Sequence, residues 1–440
     1  MDQSWRELRL VAAAHAVSTF GSFLNLVALG LFVLHLTGSP MRTGVFLAVR
    51  LAAGFVTGPV AGRLAGRYRR PHLMIGADLC SAGMLVLLVA APVGARPVVL
   101  YGLAVVLGAG QTLWGVAMRS HLPTLVGPEQ RTRANGLVVT VRSVAMLLGF
   151  ASAGVLVGWL GYHVAFLLDA ATYLTSALLL LPVARRTAAG TPPAAGAGPA
   201  GPGGGHPGRL GLLRVVAPVV LAMIAVRAAD AFGSASHNVG LPVYATLVRP
   251  DAPATFAATF TTAWAAGSLV AGRWAARRAG RGDRTGRGGT DGGPAPAGRG
   301  GTDGGPAPAR QGGTELPFAV ATCLMSVCFV LAFTGLPLWL LAPVTLAAGA
   351  ADGYAEITYT TRLQAVDDDL RARLFGFASA AQNAGFGLGM IICAGLLERF
   401  TPLTVVGAAH GLALAAALTF LLVHVRLRAA ARRQPAEVTL

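Results

Sequence analysis

Long apolar runs constrain this chain more than any other feature of its sequence. A membrane-spanning helix needs about 20 mostly apolar residues, and twelve such runs can be marked. Only 12% of the residues are charged, whereas a soluble globular domain carries about 25%. The sequence therefore predicts an all-α integral membrane protein with twelve transmembrane helices. The predicted spans are residues 10–36, 43–62, 72–92, 97–118, 135–158, 163–183, 212–236, 254–275, 317–335, 337–360, 374–396 and 402–425.

The arginines predict the orientation of these spans. The net charge of +17 comes from arginine alone, because the chain has no lysine. Twelve spans place both termini on one side, and 28 of the 35 arginines fall in loops and tails on that side. The opposite side has only Arg42, Arg96, Arg249 and Arg399. Because positive loops remain in the cytoplasm, we expect a plasma-membrane protein with both termini inside. Arginines placed in this way do not indicate nucleic-acid binding.

Two segments of low complexity divide the chain. Residues 184–211 are rich in Ala, Gly and Pro and separate six spans from six. Residues 279–313 contain GRGGTDGGPAPA twice in tandem, and neither composition can form a packed core. The predicted organisation is a six-helix bundle at 1–183, a flexible cytoplasmic linker at 184–211, a second bundle at 212–426 with a disordered cytoplasmic loop at 279–313, and a cytoplasmic tail at 427–440.

The two predicted halves share a short repeat at an offset of 240 residues. VGPEQRTRANGL at 126–137 aligns with VDDDLRARLFGF at 366–377, so that Gly136 matches Gly376. In the same register, Gly149 matches Gly389. Related halves are common in transporter folds, so the repeat favours two pseudo-symmetric bundles.

Several motifs carry a resemblance to one family. They are LTGSP at 36–40, GRLAGRYRR at 62–70, HLPTLVGPE at 121–129 followed by Ala134-Asn135, and LDAATY at 168–173. With these motifs the chain resembles a major facilitator superfamily transporter over all twelve spans. Within that family it is most similar to the branch of enterobactin-exporter-like and macrolide-efflux-like proteins.

The resemblance implies alternating access. Two six-helix bundles would rock about a central site, driven in many members by a proton gradient. The first, fourth, seventh and tenth helices would line the cavity. The chain departs from the family pattern at Gly66, where an aspartate is usual, and at Gly149-Phe150, where exporters usually have Gly-Pro.

Arginines in the loops that join the spans are candidates for gating contacts. The alternative is that they serve only to set the topology. The gating-loop candidates are Arg63, Arg67, Arg70, Arg131, Arg133, Arg371 and Arg373.

Ionisable residues inside predicted spans are candidates for proton coupling, because they are costly in a membrane. Arg227 and Asp230 are three residues apart in span seven, and Asp352 and Glu356 are four apart in span ten. Either spacing puts both members on one helix face. One interpretation is that protonation of Asp230 releases Arg227. A static ion pair, and carboxylates of ordinary pKa in a wet cavity, remain alternatives.

Polar and aromatic residues within the spans are candidates for a substrate path, although each could equally serve helix packing. Arg50 and Asp169 lie at similar predicted depths, which would allow a pair within the first bundle. His237 is expected at a membrane interface. The substrate-path candidates are Asn25, Arg50, Gln111, Trp114, Arg142, Phe232, Gln382 and Asn383.

No cofactor, metal motif or nucleophile–base pair is predicted from the sequence, so we do not expect an enzyme. The favoured function is proton-coupled efflux of a small organic molecule by a monomer in the lipid bilayer, with protons as the coupling ion. One alternative is an importer or uncoupled facilitator. An alternative of another class is a non-transporting regulator or an enzyme on the same scaffold.

The predicted topology can be tested with reporters in the loops. Fusions at Gly201 and Gly301 should report the cytoplasm, and a fusion at Arg249 should report the outside, because arginine-rich loops remain inside. A fusion at Gly301 that faces outward would contradict the twelve-span topology.

Overall fold

Long α-helices make up almost all of the described structure. The computed structural model describes residues 3–37, 40–189, 217–251, 253–287 and 314–433. Each of the twelve predicted spans overlaps one helix of these ranges. The helices are α1 (Gln3–Thr37), α2 (Pro40–Arg67), α3 (Arg70–Ala90), α4 (Arg96–Leu125), α5 (residues 131–160), α6 (residues 162–189), α7 (Pro218–Val248), α8 (Pro253–Arg287), α9 (Glu315–Ala332), α10 (Leu338–Leu363), α11 (Asp368–Leu397) and α12 (Pro402–Arg433).

A single glycine separates α5 from α6. Gly161 has φ 76° and ψ 173° inside an otherwise continuous helical stretch, Arg131–Ala189. A residue with a side chain rarely adopts this positive φ, whereas glycine does so without steric cost. The break therefore gives two membrane-crossing segments in place of one long helix.

Some helix boundaries differ from the prediction. Helix α4 continues to Leu125, seven residues past the predicted end, which brings Arg119 into a helix. Helix α7 begins at Pro218 and runs to Val248, because proline suits the first turn of a helix. Most of the predicted linker, and residues 288–313 of the predicted loop, lie outside the described residues.

Ten of the described helical stretches are long and apolar enough to cross a membrane. The two helices that fall short are α8 and α10. Helix α8 contains several threonines and glycines, and α10 carries Asp352 and Glu356. Both nevertheless pack against each other within the second bundle. Their lower hydropathy reflects the polar residues that they place inside the protein.

Glycines at equivalent positions allow close helix contacts within each bundle. A Cβ atom on Gly149 of α5 would lie 2.8 Å from the Phe20 carbonyl oxygen of α1. A Cβ atom on Gly389 of α11 would lie 2.7 Å from the Phe232 carbonyl oxygen of α7. Both distances are too short for a real side chain. The two glycines that the sequence repeat aligns thus perform the same packing role in both halves.

A second pair of aligned glycines lies where the bundles meet. A Cβ atom on Gly136 of α5 would lie 2.7 Å from the Gly272 carbonyl oxygen of α8. Gly376 of α11 approaches the Gly58 carbonyl of α2 in the same way. The bundles α1–α6 and α7–α12 therefore meet along two related helix pairs, with backbone against backbone. A cavity remains between these two seams.

The face at which α1 begins and α12 ends is called the terminal face below. It includes the starts of α3, α5 and α11, because successive spans run in opposite directions. The other end of the bundles is called the opposite face.

We expect Gly376→Val to force α2 and α11 apart near the terminal face. Overpacking of this kind costs about 1–3 kcal/mol, which would reduce the ratio of closed to open molecules roughly fivefold to 150-fold. Spin labels at Arg67 and Asp367, on a cysteine-free background, would report the separation. Gly387→Val on the same helix is the control, because no atom lies within 4 Å of its Cβ position. An unchanged distance in Gly376→Val would contradict the tight seam.

Candidate functional site

A cavity of about 430 Å³ lies between the two bundles. Its wall includes residues of α1, α4 and α5 from the first bundle and of α7, α8, α10 and α11 from the second. The wall is mixed in character, and its ionisable residues include Arg119 and Arg142 of the first bundle and Arg227, Asp352 and Glu356 of the second. We call this space the central cavity.

Five ionisable side chains of the central cavity form one connected network. Arg227 Nη1 lies 2.6 Å from Asp230 Oδ2 and 3.3 Å from Asp352 Oδ1. Arg227 Nη2 lies 2.9 Å from Glu356 Oε2. The other oxygen of Glu356, Oε1, lies 2.8 Å from Arg119 Nη2. We call these five residues the charge network, and it joins the two bundles through Glu356.

The spacing of the carboxylates along their helices produces the network. Asp230 follows Arg227 by three residues on α7, and Glu356 follows Asp352 by four on α10. Each pair therefore points from one helix face. Where the two faces meet, Arg227 is surrounded by three carboxylates, so its charge is neutralised inside the protein.

Asp230 is the least satisfied member of the charge network. Its Oδ2 accepts from Arg227, whereas its Oδ1 is buried and has no hydrogen-bond partner among the described residues. A buried acceptor without a donor is costly. Adding a proton at Oδ1 would remove the charge of Asp230, and Arg227 would still have Asp352 and Glu356.

Arg119 is part of the charge network although the sequence did not single it out. The predicted fourth span ended at the residue before it, so Arg119 was counted as a loop arginine. The signal that could have found it is the apolar character of Leu122 and Leu125, which continues the helical pattern beyond it.

A second ionic cluster closes the terminal face. Arg70, at the start of α3, donates from Nη1 to Asp368 Oδ1 at 3.1 Å and from Nη2 to Oδ2 at 2.6 Å. Arg371 Nη1 donates to Asp368 Oδ1 at 2.5 Å. The two hydrogen bonds from Arg70 to Asp368 link the first bundle to the start of α11. Two of the predicted gating arginines, Arg70 and Arg371, therefore meet at one carboxylate.

Neutral side chains extend this closure inward. Asn135 of α5 donates to Gln364 Oε1 at 2.8 Å and to Thr361 Oγ1 at 2.9 Å. Gln364, which is fully buried, donates to the Arg119 carbonyl oxygen at 3.1 Å. We call these contacts, together with Arg70–Asp368, the gate. Gln364 was not predicted, because nothing in its local sequence distinguishes it.

The other predicted gating arginines make no ion pair with any residue that the structure describes. The guanidinium of one of them, Arg133, lies over the Trp5 ring at 4.4 Å from its centre. Another, Arg131, has a buried Nε without a hydrogen-bond partner in the described ranges. This group consists of Arg63, Arg67, Arg131, Arg133 and Arg373.

In the described part of the chain, no side-chain hydrogen bond or ion pair joins the two bundles near the opposite face. Between described residues, the inter-bundle hydrogen bonds farthest from the terminal face are Ser143 to Ser268, at 3.0 Å, and Asn383 to Thr112, at 3.5 Å. Both lie near the middle of their helices. Side-chain hydrogen bonds and ion pairs between described residues therefore join the bundles at the terminal face and in the middle of the helices.

A further cavity, of about 310 Å³, continues from the central cavity toward the opposite face. The two cavities share His237, Asn238 and Trp264. Beyond these residues the wall is mostly apolar, with Leu241 and Phe260. We call this space the upper cavity.

Three substrate-path candidates, Arg142, Gln382 and Asn383, line the central cavity. The others lie outside both cavities. Phe232 packs against the buried cluster that contains Cys393, and Gln111 is exposed on α4.

Trp114, another substrate-path candidate, belongs to the interior of the first bundle. Its indole Nε1 donates to Asp78 Oδ2 at 3.3 Å, and its ring stacks on His15 at 4.9 Å. Ser176 also donates to Asp78 Oδ2, at 2.6 Å. These contacts favour a packing role for Trp114.

Asn25 and Arg50 lie in the same bundle as Asp169, outside both cavities. No ion pair within 4 Å joins Arg50 to Asp169 in the described part of the chain. Asn25 Oδ1, Arg50 Nη1 and Asp169 Oδ2 are each buried without a hydrogen-bond partner there. The direct pair that the predicted depths allow is therefore not formed within 4 Å in the described chain, and Asp169 instead accepts from Thr172 through Oδ1.

His237 is buried and does not lie at a membrane interface as expected. Its Nδ1 lies 3.2 Å from His410 Nε2, and its ring stacks on Phe329 with centres 4.1 Å apart. The length of α7 explains the difference. The helix extends to Val248, so His237 lies nearer its middle than its end.

The sequence is similar to those of known membrane transporters. Residues 11–289 match the family model described as Major Facilitator Superfamily. A curated relative, an uncharacterized MFS-type transporter, y4rN, of Sinorhizobium fredii (strain NBRC 101917 / NGR234), is 30% identical over 175 residues. That match covers 39% of this chain and 43% of the relative, so the chain matches less than half of the relative's length.

Two solved structures share the fold at low identity. A bacterial homologue of the iron transporter ferroportin, in an outward-facing state, has a TM-score of 0.67 at 14% identity, over 98% of this chain and 100% of that one. The transporter FucP, in the outward conformation, has a TM-score of 0.66 at 12% identity, over 94% and 98% of the two chains. The predicted twelve-helix major facilitator fold is confirmed.

We expect Asp368→Asn to loosen the terminal face, because Arg70 and Arg371 lose their shared carboxylate. Asp368 is partly exposed, so the loss should be about 1 kcal/mol, or roughly fivefold in the open population. The rate at which a thiol reagent modifies a cysteine placed at the buried Ser120 would measure it. Asp367→Asn, at an exposed neighbour without an ion pair in the described chain, is the matched control. Equal rates in both variants would contradict the gate.

The effect of Asp368→Asn should not be reproduced by mild acid. Burial by itself would raise the pKa of Asp368, but the hydrogen bond from Arg70 and the charges of Arg70 and Arg371 outweigh burial and hold that pKa below its ordinary value. The contact therefore stabilises the gate above the ordinary pKa and is lost only as the pH falls through the lowered one. Between about pH 5 and 8 the gate should stay charged.

Proposed function

The chain belongs to the Major Facilitator Superfamily and is a multi-pass membrane transporter, not an enzyme; from this premise we propose that it is a proton-coupled exporter of a small organic molecule. Alternating access would proceed by rocking of the α1–α6 and α7–α12 bundles. The conformation described above, closed at the terminal face, would then be the state that releases substrate.

One observation carries the proposal. The Glu356 carboxylate binds Arg119 of the first bundle and Arg227 of the second at the same time. When the terminal face opens, α4 and α10 must separate, so the Arg119–Glu356 pair must break. The charge state of the network therefore influences which face is open, as coupling requires.

Asp230 is the proposed proton carrier within the network. It has a side-chain exposure of only 4%, yet its helix lines both cavities, which lead toward the opposite face. A proton that arrives by this path and binds Oδ1 would weaken the hold of Asp230 on Arg227. Arg227 could then bind Asp352 and Glu356 more closely, and Glu356 would be released from Arg119.

The direction of transport rests on the orientation. With the arginine-rich terminal face in the cytoplasm, the cavities of this conformation face outward, and protons from outside would reach Asp230. We therefore propose efflux by a proton antiporter in the plasma membrane, active as a monomer. The motifs shared with the enterobactin-exporter-like and macrolide-efflux-like branch support the same direction. Import and uncoupled facilitation are the alternatives within transport.

We expect Asp230→Asn to abolish proton-driven transport and to retain substrate exchange between two equal compartments. The variant should fold, because Arg227 keeps Asp352 and Glu356 as partners. Proteoliposomes would measure both activities, with a substrate identified by comparing the compounds accumulated in cells with and without the gene. Asp251→Asn, at an exposed position, is the control and should behave like the unaltered chain.

The double variant Arg227→Gln with Asp230→Asn separates the switch from a static ion pair. If the pair is static, neutralising both members removes this pair, Glu356 keeps Arg119, Asp352 loses its contact with Arg227 but still borders the cavity, and transport recovers. If Asp230 carries the proton, proton-driven transport stays absent. Recovery of full proton-driven transport would contradict the proposal and would point to Asp352 and Glu356.

A further inference from the structure

One cation of the central cavity, Arg142, has no ion pair within 4 Å in the described chain, although its charge acts on Glu356. Arg142, on α5, is exposed to the central cavity. It has no ion pair and no side-chain hydrogen bond with any residue in the described ranges, whereas Arg119 and Arg227 each bind Glu356. An arginine at this depth is costly unless an opposite charge or water faces it. The carboxylates nearby are already bound to the other two arginines.

A transported cation would find no carboxylate in this cavity without an arginine partner. Asp230, Asp352 and Glu356 all contact Arg227, so a cation would have to share a carboxylate with that arginine or displace it. An anion needs no such displacement, because the Arg142 guanidinium offers several donors arranged for a carboxylate or phosphate. The electrostatics of the wall therefore favour an anionic group on the substrate.

The position of Arg142 relative to the aromatic wall indicates the rest of the substrate. Its neighbour Ser143 hydrogen-bonds Ser268 of α8 at 3.0 Å. Trp264 precedes Ser268 by four residues, which is about 6 Å along the helix. Trp264 therefore lies roughly one turn from Arg142 toward the opposite face. It lines both cavities together with His237, and Phe260 follows in the upper cavity.

The path is long enough for an extended molecule. Along α7 the cavity lining runs from Arg227 to Thr246, and 19 residues of helix span about 28 Å. The charged end of this path lies at the middle of the bundle, and the aromatic end leads outward. A molecule with one anionic end and an apolar body matches this order of surfaces.

We propose that the transported substrate is an amphipathic organic anion, with its anionic group on Arg142 and its aromatic or apolar body along Trp264 and Phe260. This assignment rests on the proposed transport function but does not depend on its direction or on proton coupling. Asn383 and Gln382, which also face the central cavity, supply neutral hydrogen-bonding groups beside the anion.

Equilibrium binding to the full chain in lipid nanodiscs tests the assignment without any gradient. The probes are 2-naphthoate, 2-naphthylmethylamine and 2-naphthalenemethanol, which share one aromatic body and differ in charge, and calorimetry measures each. We expect the acid to bind most tightly. Arg142→Gln should lower the affinity for the acid at least about tenfold, because one charge-assisted contact is lost. The same variant should bind the alcohol with nearly unchanged affinity. Arg142→Lys should retain part of the affinity for the acid.

The matched control is Arg277→Gln, which removes an exposed arginine of α8 outside both cavities. It should bind 2-naphthoate as the unaltered chain does. A second variant, Trp264→Leu, should reduce the preference for 2-naphthoate over an aliphatic acid of equal carbon number.

Three results would overturn the assignment. They are tighter binding of the amine than of the acid, equal binding of the acid by Arg142→Gln and the unaltered chain, and no binding of the acid at all. None of these outcomes depends on Asp230, so the substrate assignment and the coupling proposal can fail separately.

Discussion

Neutralisation of the Arg227 guanidinium inside the bundle is the interaction on which the arrangement of this protein depends. A buried arginine is tolerated only when it is paired and hydrogen-bonded. Its partners come from two helices, Asp230 on α7 and Asp352 and Glu356 on α10, so those helices must keep a fixed register. Because Glu356 is shared with Arg119, the same requirement extends to the first bundle. The requirement to neutralise Arg227 thereby influences how the two bundles can separate.

The close helix seams give this network a rigid frame. At Gly136 and Gly376 the backbones of opposing bundles touch without intervening side chains. At Gly149 and Gly389 the same occurs within each bundle. Seams of this kind have few rotamers to rearrange, so movement of one bundle against the other should be close to that of a rigid body. The 240-residue repeat in the sequence reflects these close contacts, because a glycine is needed wherever one helix approaches the backbone of another so closely.

Sequence patterns predicted the helices well because apolar length is a local property. They also predicted that Asp352 and Glu356 share a helix face, since spacing along a helix determines which residues are neighbours on it. They did not predict that this face meets Arg119, because spacing does not reveal how each helix is rotated toward the others. For the same reason Trp114 and Phe232 lie among packing residues although they were candidates for the substrate path. Gln364 and His237 depend entirely on distant partners, so local sequence carried no signal for them.

Arg119 takes part in both the charge network and the gate. Its guanidinium holds Glu356 in the central cavity, and its backbone carbonyl accepts from Gln364 in the gate. Thermodynamic reciprocity then applies: whatever draws the side chain of Arg119 away from Glu356 changes the tightness of the gate, and the gate changes the affinity at the cavity by an equal factor. An occupant that competes for Arg119 would thus act as its own effector. Arg119 thus connects the central cavity to the gate through a single residue, by its side chain on one side and its backbone on the other.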